Sequence, residues 1–211
     1  MISLIHPSRG RPEKAFQTAN LWMDAAGTYC QYILSLDEDD PYLPEYKALF
    51  ERLPMVVNAN TCVVEAANHA AKLSTGDVLL YLSDDFKCFD NWAAEVLKHF
   101  VGITKPLLIK VDDKLQTFHK DVLTMPIMNR ALYNELGYFF HPGYKSMWCD
   151  CDLYHTVRNM DALKLCPELI FEHHHYVNGK AKRDETYDRS TANWNQGLAL
   201  YNDRKRKNFP R

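Results

Sequence analysis

Short apolar runs alternate with helix-spaced patterns along the first hundred residues of this chain. That alternation predicts a mostly parallel sheet whose strands are joined by crossover helices, an α/β fold. Ile2 to Ile5 reads as a first strand, with the loop PSRGRP at its carboxyl end. Glu13 to Ala26 places Phe16, Ala19, Leu21 and Met23 at near-helical spacing until Gly27 stops the helix. Tyr32 to Leu36 reads as a second strand closed by the acidic turn DEDDP, Pro44 to Leu53 as a short helix and Met55 to Asn58 as a third strand. Cys62 to Leu73 carries Val63, Ala66, Ala67 and Ala70 on one helical side and ends at Gly76. Val78 to Leu82 is apolar at every position, as a strand buried on both faces requires, and it runs straight into SDDF.

The second half is less regular. Asn91 to Phe100 and Arg130 to Leu136 read as helices, the latter stopped by Gly137, and Leu107 to Val111 as a strand between them. The aromatic segment YFFHPGYKSMW leads into CDCDL and a helix striped by Leu153, Val157 and Met160. Leu169 to Phe171 reads as a last strand running into three histidines. From Asn178 the chain is polar and ends in the basic tail RKRKNFPR. No repeat, low-complexity tract or linker interrupts it.

At about 150 residues per domain, 211 residues predict one domain of generous size. A hydrophobic fraction of 46% fills such a core and excludes a disordered chain. The 25 Lys and Arg against 27 Asp and Glu leave a formal charge of −2, so no global positive field draws the chain to nucleic acid or membrane. Cys30, Cys62, Cys88, Cys149, Cys151 and Cys166 are scattered apart from one C-x-C, and the start MISLIHPSRGRPEK turns polar after five residues. These features predict reduced thiols, no secretory signal and a cytoplasmic location. No apolar run approaches the roughly 20 residues of a membrane-spanning helix, so we expect a soluble chain.

Four loops, PSRGRP, DEDDP, NANTC and SDDF, fall at the carboxyl ends of the predicted strands, where open parallel sheets bind ligands. Asp84 and Asp85 are adjacent carboxylates there, and they repel unless a cation or donors hold them. A divalent metal is one partner; an acidic turn with Asp84 as a helix cap is the other reading. His173 and His175 share a strand face while His174 points away, which makes the pair a plausible ligand set. Asp150 and Asp152 open a predicted helix, as caps or as a general base whose proton affinity nearby aromatics raise. Cys149 and Cys151 with His173 and His175 would alternatively suit zinc. Asp37, Asp39 and Asp40 fit a base or ribose hydroxyl as well as a solvated turn. Arg9 and Arg11 could meet phosphates, although neither a P-loop nor a G-x-G-x-x-G is present.

In this order the motifs resemble those of a GT-A fold glycosyltransferase, similar to the family 2 glycosyltransferases. PSRGRP stands where that family has P-T-x-N-R, LDEDDP where it has an acidic turn for the nucleotide base, and NANTCVVEAANHAAKLSTGDVLLYLSDDF where it has a small-residue helix, a Thr-Gly-Asp and the D-x-D region. CDCDL resembles its E-D segment and HHH its late metal-ligating histidine. SDD is not a strict D-x-D, and Cys149 replaces the Glu of E-D.

The resemblance implies a Rossmann-like domain with a nucleotide-sugar half over 1–100, an acceptor half over 101–178 and an extension over 179–211. It implies a nucleotide-sugar donor, a UDP-sugar first, and Mn2+ or Mg2+ as cofactor. Pro7, Ser8, Arg9, Asp37, Asp39, Asn68 and Asp84 would form the nucleotide site, and Asp85 with His173 or His175 would bind the metal. Asp150, with Asp152 as the alternative, would deprotonate the acceptor hydroxyl and invert the anomeric carbon. The acceptor is a glycan, a small molecule or a modified nucleic acid. Tyr138, Phe139, Phe140, Tyr144 and Trp148 would stack on a sugar, or with the basic tail hold hydroxylated DNA as a phage-type enzyme in a host cytoplasm would. A catalytically silent module stabilised by metal at the cysteines and histidines is the remaining alternative.

Overall fold

The structure, a computed structural model, describes residues 1–116 and 118–211. The first half follows the apolar pattern closely. Strands β1 (Ile2–Pro7), β2 (Cys30–Asp37), β3 (Met55–Asn58) and β4 (Val78–Tyr81) alternate with helices α1 (Pro12–Asp24), α2 (Leu43–Leu49) and α3 (Val63–Leu73). A short strand β5 (Phe86–Lys87) and helix α4 (Trp92–Lys98) come next. The second half contains β6 (Leu108–Asp112), β7 (Ile127–Asn129), α5 (Arg130–Leu136), α6 (Cys149–Asn159), β8 (Leu163–Ile170) and β9 (Glu172–His173). It ends in α7 (Glu185–Thr191) and α8 (Trp194–Arg206).

Seven strands form one sheet in the order β3-β2-β1-β4-β7-β6-β8. β1 is parallel to β2 and β4, β2 to β3, and β6 to β8, while β7 runs antiparallel between β4 and β6. The chain winds outward from β1 through β2 to β3 and then returns to the other side of β1 as β4. The crevice at the carboxyl ends of β1 and β4 is therefore a topological switch point. β7 and most of β8 depart from the expected pattern, which read a last strand only at Leu169 to Phe171. The polar stretch after Asn178, expected as an extension ending in a basic tail, folds into α7 and α8.

Alternate strand positions feed two cores on opposite sheet faces. Ile2, Leu4, Val78, Leu80 and Leu82 join Trp22, Trp92, Phe50 and Phe171 beneath α1 and α4. Ile5 and Leu79 join Val64, Ala67, Leu132, Leu153 and Val157 beneath α3, α5 and α6. This two-faced burial is why β4 carries no polar residue. Gly76, just before β4, lies so close to β1 that a Cβ there would stand 2.7 Å from the Ser3 amide nitrogen. Asn129 caps α5 by accepting from the Leu132 amide at 3.0 Å.

Candidate active site

A cavity of about 240 Å³ opens at the switch point. Pro7, Ser8 and Arg9 after β1, Asp37 at the end of β2, and Ser83, Asp84 and Asp85 after β4 line it. Thr61, Cys62, Val63 and Ala66 contribute from the start of α3, and His173 and His175 from the β9 strand and the loop behind it. Lys145 and Ser146 close one side, and Thr186, Tyr187, Arg189, Ser190 and Asn193 form the wall supplied by α7 and its link to α8.

Asp84 and Asp85 are both buried, with different surroundings. Asp84 accepts from His6 Nε2 at 2.9 Å and from the Ser8 hydroxyl at 3.0 Å, with an Arg11 guanidinium nitrogen 3.9 Å away. His6 is itself buried in β1 and is held through Nδ1 by the Tyr32 hydroxyl at 2.6 Å. Asp84 is thus tied into the floor of the site, so that any ion would have to compete for oxygens already engaged.

Asp85 is held differently. The Tyr187 hydroxyl donates to its Oδ2 at 2.7 Å, and His173 Nε2 lies 3.2 Å from Oδ1 without forming an aligned hydrogen bond. Burial raises the proton affinity of Asp85, but His173 and Tyr187 outweigh it and hold the carboxyl well below the usual carboxylate range. The sheet brings these residues together: β5 follows SDD directly and pairs antiparallel with β9, setting Phe86 opposite His173. The His174 amide donates to the Asp85 carbonyl at 2.8 Å, and His173 stacks on Phe86 with ring centroids 4.2 Å apart.

A divalent ion fits this pair on one observation. Asp85 Oδ1 is a buried carboxylate oxygen without a hydrogen-bond partner that faces His173 Nε2 at 3.2 Å, the state that a missing cation or ordered donor leaves behind. Substrate phosphates and water normally complete the shell of Mg2+ or Mn2+, so two protein donors suffice. The donors of Asp85, His173 and His175 do not all lie within 4.8 Å of one another. His175 Nδ1 accepts from the Val177 amide, its ring packs edge-on against Tyr187, and burial followed by the charge of His173 lowers its pKa to about 4, so the imidazole is neutral. Among the described residues, three His, Cys, Asp or Glu donors converge only at His99, Cys166 and Glu168, and none of those lines the cavity. The zinc set of Cys149, Cys151, His173 and His175 is therefore not assembled, which removes the geometry expected of a metal-stabilised module.

The arginines expected to meet phosphate are committed to carboxylates. Arg9 pairs with Asp37 at 2.9 Å and with Asp39, and Arg11 makes a two-pronged pair with Asp184 at 2.6 and 2.8 Å. Asp37 is buried and also accepts from Asn60; burial outweighs these donors and raises its pKa. Asp39 is exposed and lies outside the cavity wall, holding Arg9 from the solvent side. Asn68 also stands away from the cavity. Its side chain donates to the Phe140 carbonyl and accepts from the Phe139 and Phe140 amides, pinning the aromatic loop to α3.

Asp150 and Asp152 occupy the first turn of α6. Asp150 is half-buried, accepts from the Cys151 amide at 2.8 Å, and has its pKa raised by burial over those amide donors. It is not part of the cavity wall, though its charge reaches Tyr81, which is. Asp152 is 1% exposed and saturated: Arg204 Nε at 2.6 Å and Nη2 at 3.2 Å, and the Tyr144 hydroxyl at 3.0 Å, take its oxygens. A carboxylate so engaged is structural and holds no oxygen free to take a proton from an acceptor.

The same ion pair removes Arg204 from the expected basic tail, and Arg206 and Lys207 both pair with Asp203. Phe139, Phe140 and Tyr144 are core residues rather than a stacking platform. Tyr138 and Trp148 are half-buried, and Lys205, Arg206 and Lys207 remain exposed. Pattern reasoning did not find His6, Tyr187 or Arg189, nor the Asp184 partner that takes Arg11 away from phosphate. A histidine inside an otherwise apolar strand is the signal that points to His6.

No protein-family model matches the chain, and no curated protein matches it. Solved structures do. A mannosyltransferase from Pyrobaculum calidifontis, in complex with GDP-Man and Mn2+, superposes with a TM-score of 0.62 at 12% identity, over 81% of this chain and 56% of that one. S. aureus TarS 1-349 in complex with UDP-GlcNAc gives 0.61 at 14% identity, over 87% of this chain and 59% of that one. The chain has a GT-A-like glycosyltransferase fold. It spans little more than half the length of these relatives. Among its described residues no helix is long and apolar enough to cross a membrane.

Proposed function

We propose that this chain transfers a sugar from a nucleotide-sugar donor to an acceptor hydroxyl, with a divalent cation held by Asp85 and His173. The bare Asp85 Oδ1 beside His173, in a cavity at the switch point, carries this reading. The mannosyltransferase of the same fold, seen with GDP-Man and Mn2+, supports it. The bound ion would offset the negative charge that grows on the leaving diphosphate. Asp85 and His173 would hold it, Tyr187 fixing Asp85 from the far oxygen. Mn2+ is preferred to Mg2+ because imidazole suits the softer ion. Asp37, oriented by Arg9 and Asn60, faces the cavity as an acceptor for base or ribose donors.

The reaction is a single displacement. The acceptor oxygen attacks the anomeric carbon, the bond from that carbon to the diphosphate breaks, and the hydroxyl proton passes to a base on the opposite side. Asp150 is that base in our reading, because burial raises its affinity for a proton. One displacement inverts the anomeric configuration.

The test is a thermal-shift panel of UDP-, GDP-, CDP- and dTDP-sugars with and without Mn2+, followed by assay of released nucleoside diphosphate. We expect one nucleotide series to stabilise the protein only when Mn2+ is present, and Asp85→Asn to abolish that stabilisation. Absence of stabilisation by every series rejects the reading.

A further inference from the structure

Away from the cavity, His99 at the C-terminal end of α4 meets Cys166 and Glu168 on β8. We propose that these three side chains form a second metal site, one that takes a thiolate-seeking divalent ion of the zinc class and fastens the edge strand β8 to α4. One donor atom from each residue lies within 4.8 Å of the other two. Cys166 Sγ is 3.4 Å from His99 Nδ1, and Glu168 Oε1 is 3.6 Å from His99 Nε2. Bond lengths of about 2.3 Å to sulfur and about 2.0 Å to nitrogen at a tetrahedral centre put S and N about 3.5 Å apart. The sulfur and nitrogen already stand at that separation. The thiol and Nδ1 are in hydrogen-bond contact, which a metal ion would replace, while the carboxylate at 3.6 Å from Nε2 makes no hydrogen bond to the imidazole.

The backbone of β8 is shaped around this point. Val111 of β6 pairs with Cys166, but Asp112 pairs with Ile170, so Pro167, Glu168 and Leu169 are extra residues on the β8 side. Leu169 turns into the core and Glu168 is exposed beside His99. An irregularity of this kind re-aims side chains and is common at sites. Burial grades across the cluster from Cys166, fully buried, through His99 to the exposed Glu168, which leaves the solvent side open for a water as fourth ligand. The other charges facing His99 are Lys164 and Glu95, of opposite sign. β8 has a partner strand on one side only, so a bond to α4 would secure an edge that hydrogen bonding leaves free. Binding replaces the Cys166 thiol proton, which leaves to solvent, by the metal–sulfur bond. The donor set differs from the carboxylate and imidazole of the cavity, so the two sites select different ions.

Titration of the metal-free protein with Co2+, followed by absorption, separates them. We expect a thiolate-to-cobalt charge-transfer band that saturates at one equivalent and is bleached by Zn2+. Cys166→Ser is expected to abolish the band and His99→Gln to weaken Co2+ binding at least tenfold. Cys62→Ser, which alters the thiol in the cavity wall, is expected to leave it unchanged. His99 is only half-buried, so His99→Gln serves as the readout if the Cys166 variant does not fold. No charge-transfer band in the unaltered protein, a band that persists in folded Cys166→Ser, or unweakened binding in His99→Gln overturns the proposal.

Discussion

Asp150 carries a folding cost that its proposed role explains. Burial raises its pKa above the ordinary carboxylate value despite the amide donors of its own turn. Between the ordinary value and the raised one the folded chain binds more protons than the unfolded chain, so this residue's contribution to stability falls as pH rises through that window. Above the raised pKa the carboxylate is charged and the cost is fully present. Asp150→Asn removes the charge and keeps an oxygen for the Cys151 amide. We expect it to raise stability by about 1 kcal/mol, read as a higher Tm, while turnover drops by about 100-fold or more. In the unaltered protein kcat/KM is expected to fall as pH is lowered through the pKa of Asp150. Normal turnover in Asp150→Asn would move the base elsewhere. Asp37, Asp84, Asp85 and His173 were legible as site candidates because carboxylates just past apolar runs are visible locally. Tyr187 was not, nor was the pairing of Arg11 with Asp184, since Asp85 and Asp184 lie 102 and 173 residues from their partners and no local period marks such pairs.

Helix α7 is the element that completes the cavity. Its N-cap Asp184 accepts from the Tyr187 amide and pairs with Arg11, and the Thr186 hydroxyl donates to the Arg9 carbonyl at 3.1 Å. Tyr187 thereby reaches Asp85 and holds Oδ2, leaving Oδ1 as the open oxygen. Groups that orient a metal ligand from behind typically contribute 10- to 100-fold in affinity. Tyr187→Phe is expected to weaken Mn2+-dependent nucleotide binding about tenfold, measured as the Mn2+ midpoint at saturating nucleotide. An unchanged midpoint would reduce Tyr187 to a packing residue. The elements that pattern reasoning missed share a physical cause. β7 is three residues long, and β8 is an edge strand with Lys164, Leu165, Pro167 and Glu168 exposed, so neither shows a continuous apolar run. The α7 and α8 helices read as polar because much of α7 lines the cavity and α8 packs through Trp194, Leu200, Tyr201 and the Arg204 ion pair, set among polar residues.

Across the whole molecule, that ion pair joins α8 to α6. Arg204 of α8 is 6% exposed and binds both oxygens of Asp152 in α6, while its Nη2 also donates to the Pro210 carbonyl at 2.7 Å. Gly197 lets α8 approach closely, since a Cβ there would meet the Met147 carbonyl at 2.4 Å. Because α7 precedes α8 by only two residues, whatever fixes α8 also fixes the cavity wall that α7 provides. Removing one partner of a buried pair leaves an uncompensated charge and costs about 3 to 5 kcal/mol, a large part of a typical stability of about 5 to 15 kcal/mol. Arg204→Met and Asp152→Leu are each expected to fall in that range by urea denaturation. The double variant leaves no unpaired charge, so it should be less destabilised than the sum of the two by at least about 2 kcal/mol. Simple additivity would show that the pair does not act as a unit. Arg204→Met should also weaken Mn2+-dependent nucleotide binding through the loosened α7, although Arg204 does not line the cavity, and rescue of that binding in the double variant would trace the effect to the buried charge on Asp152.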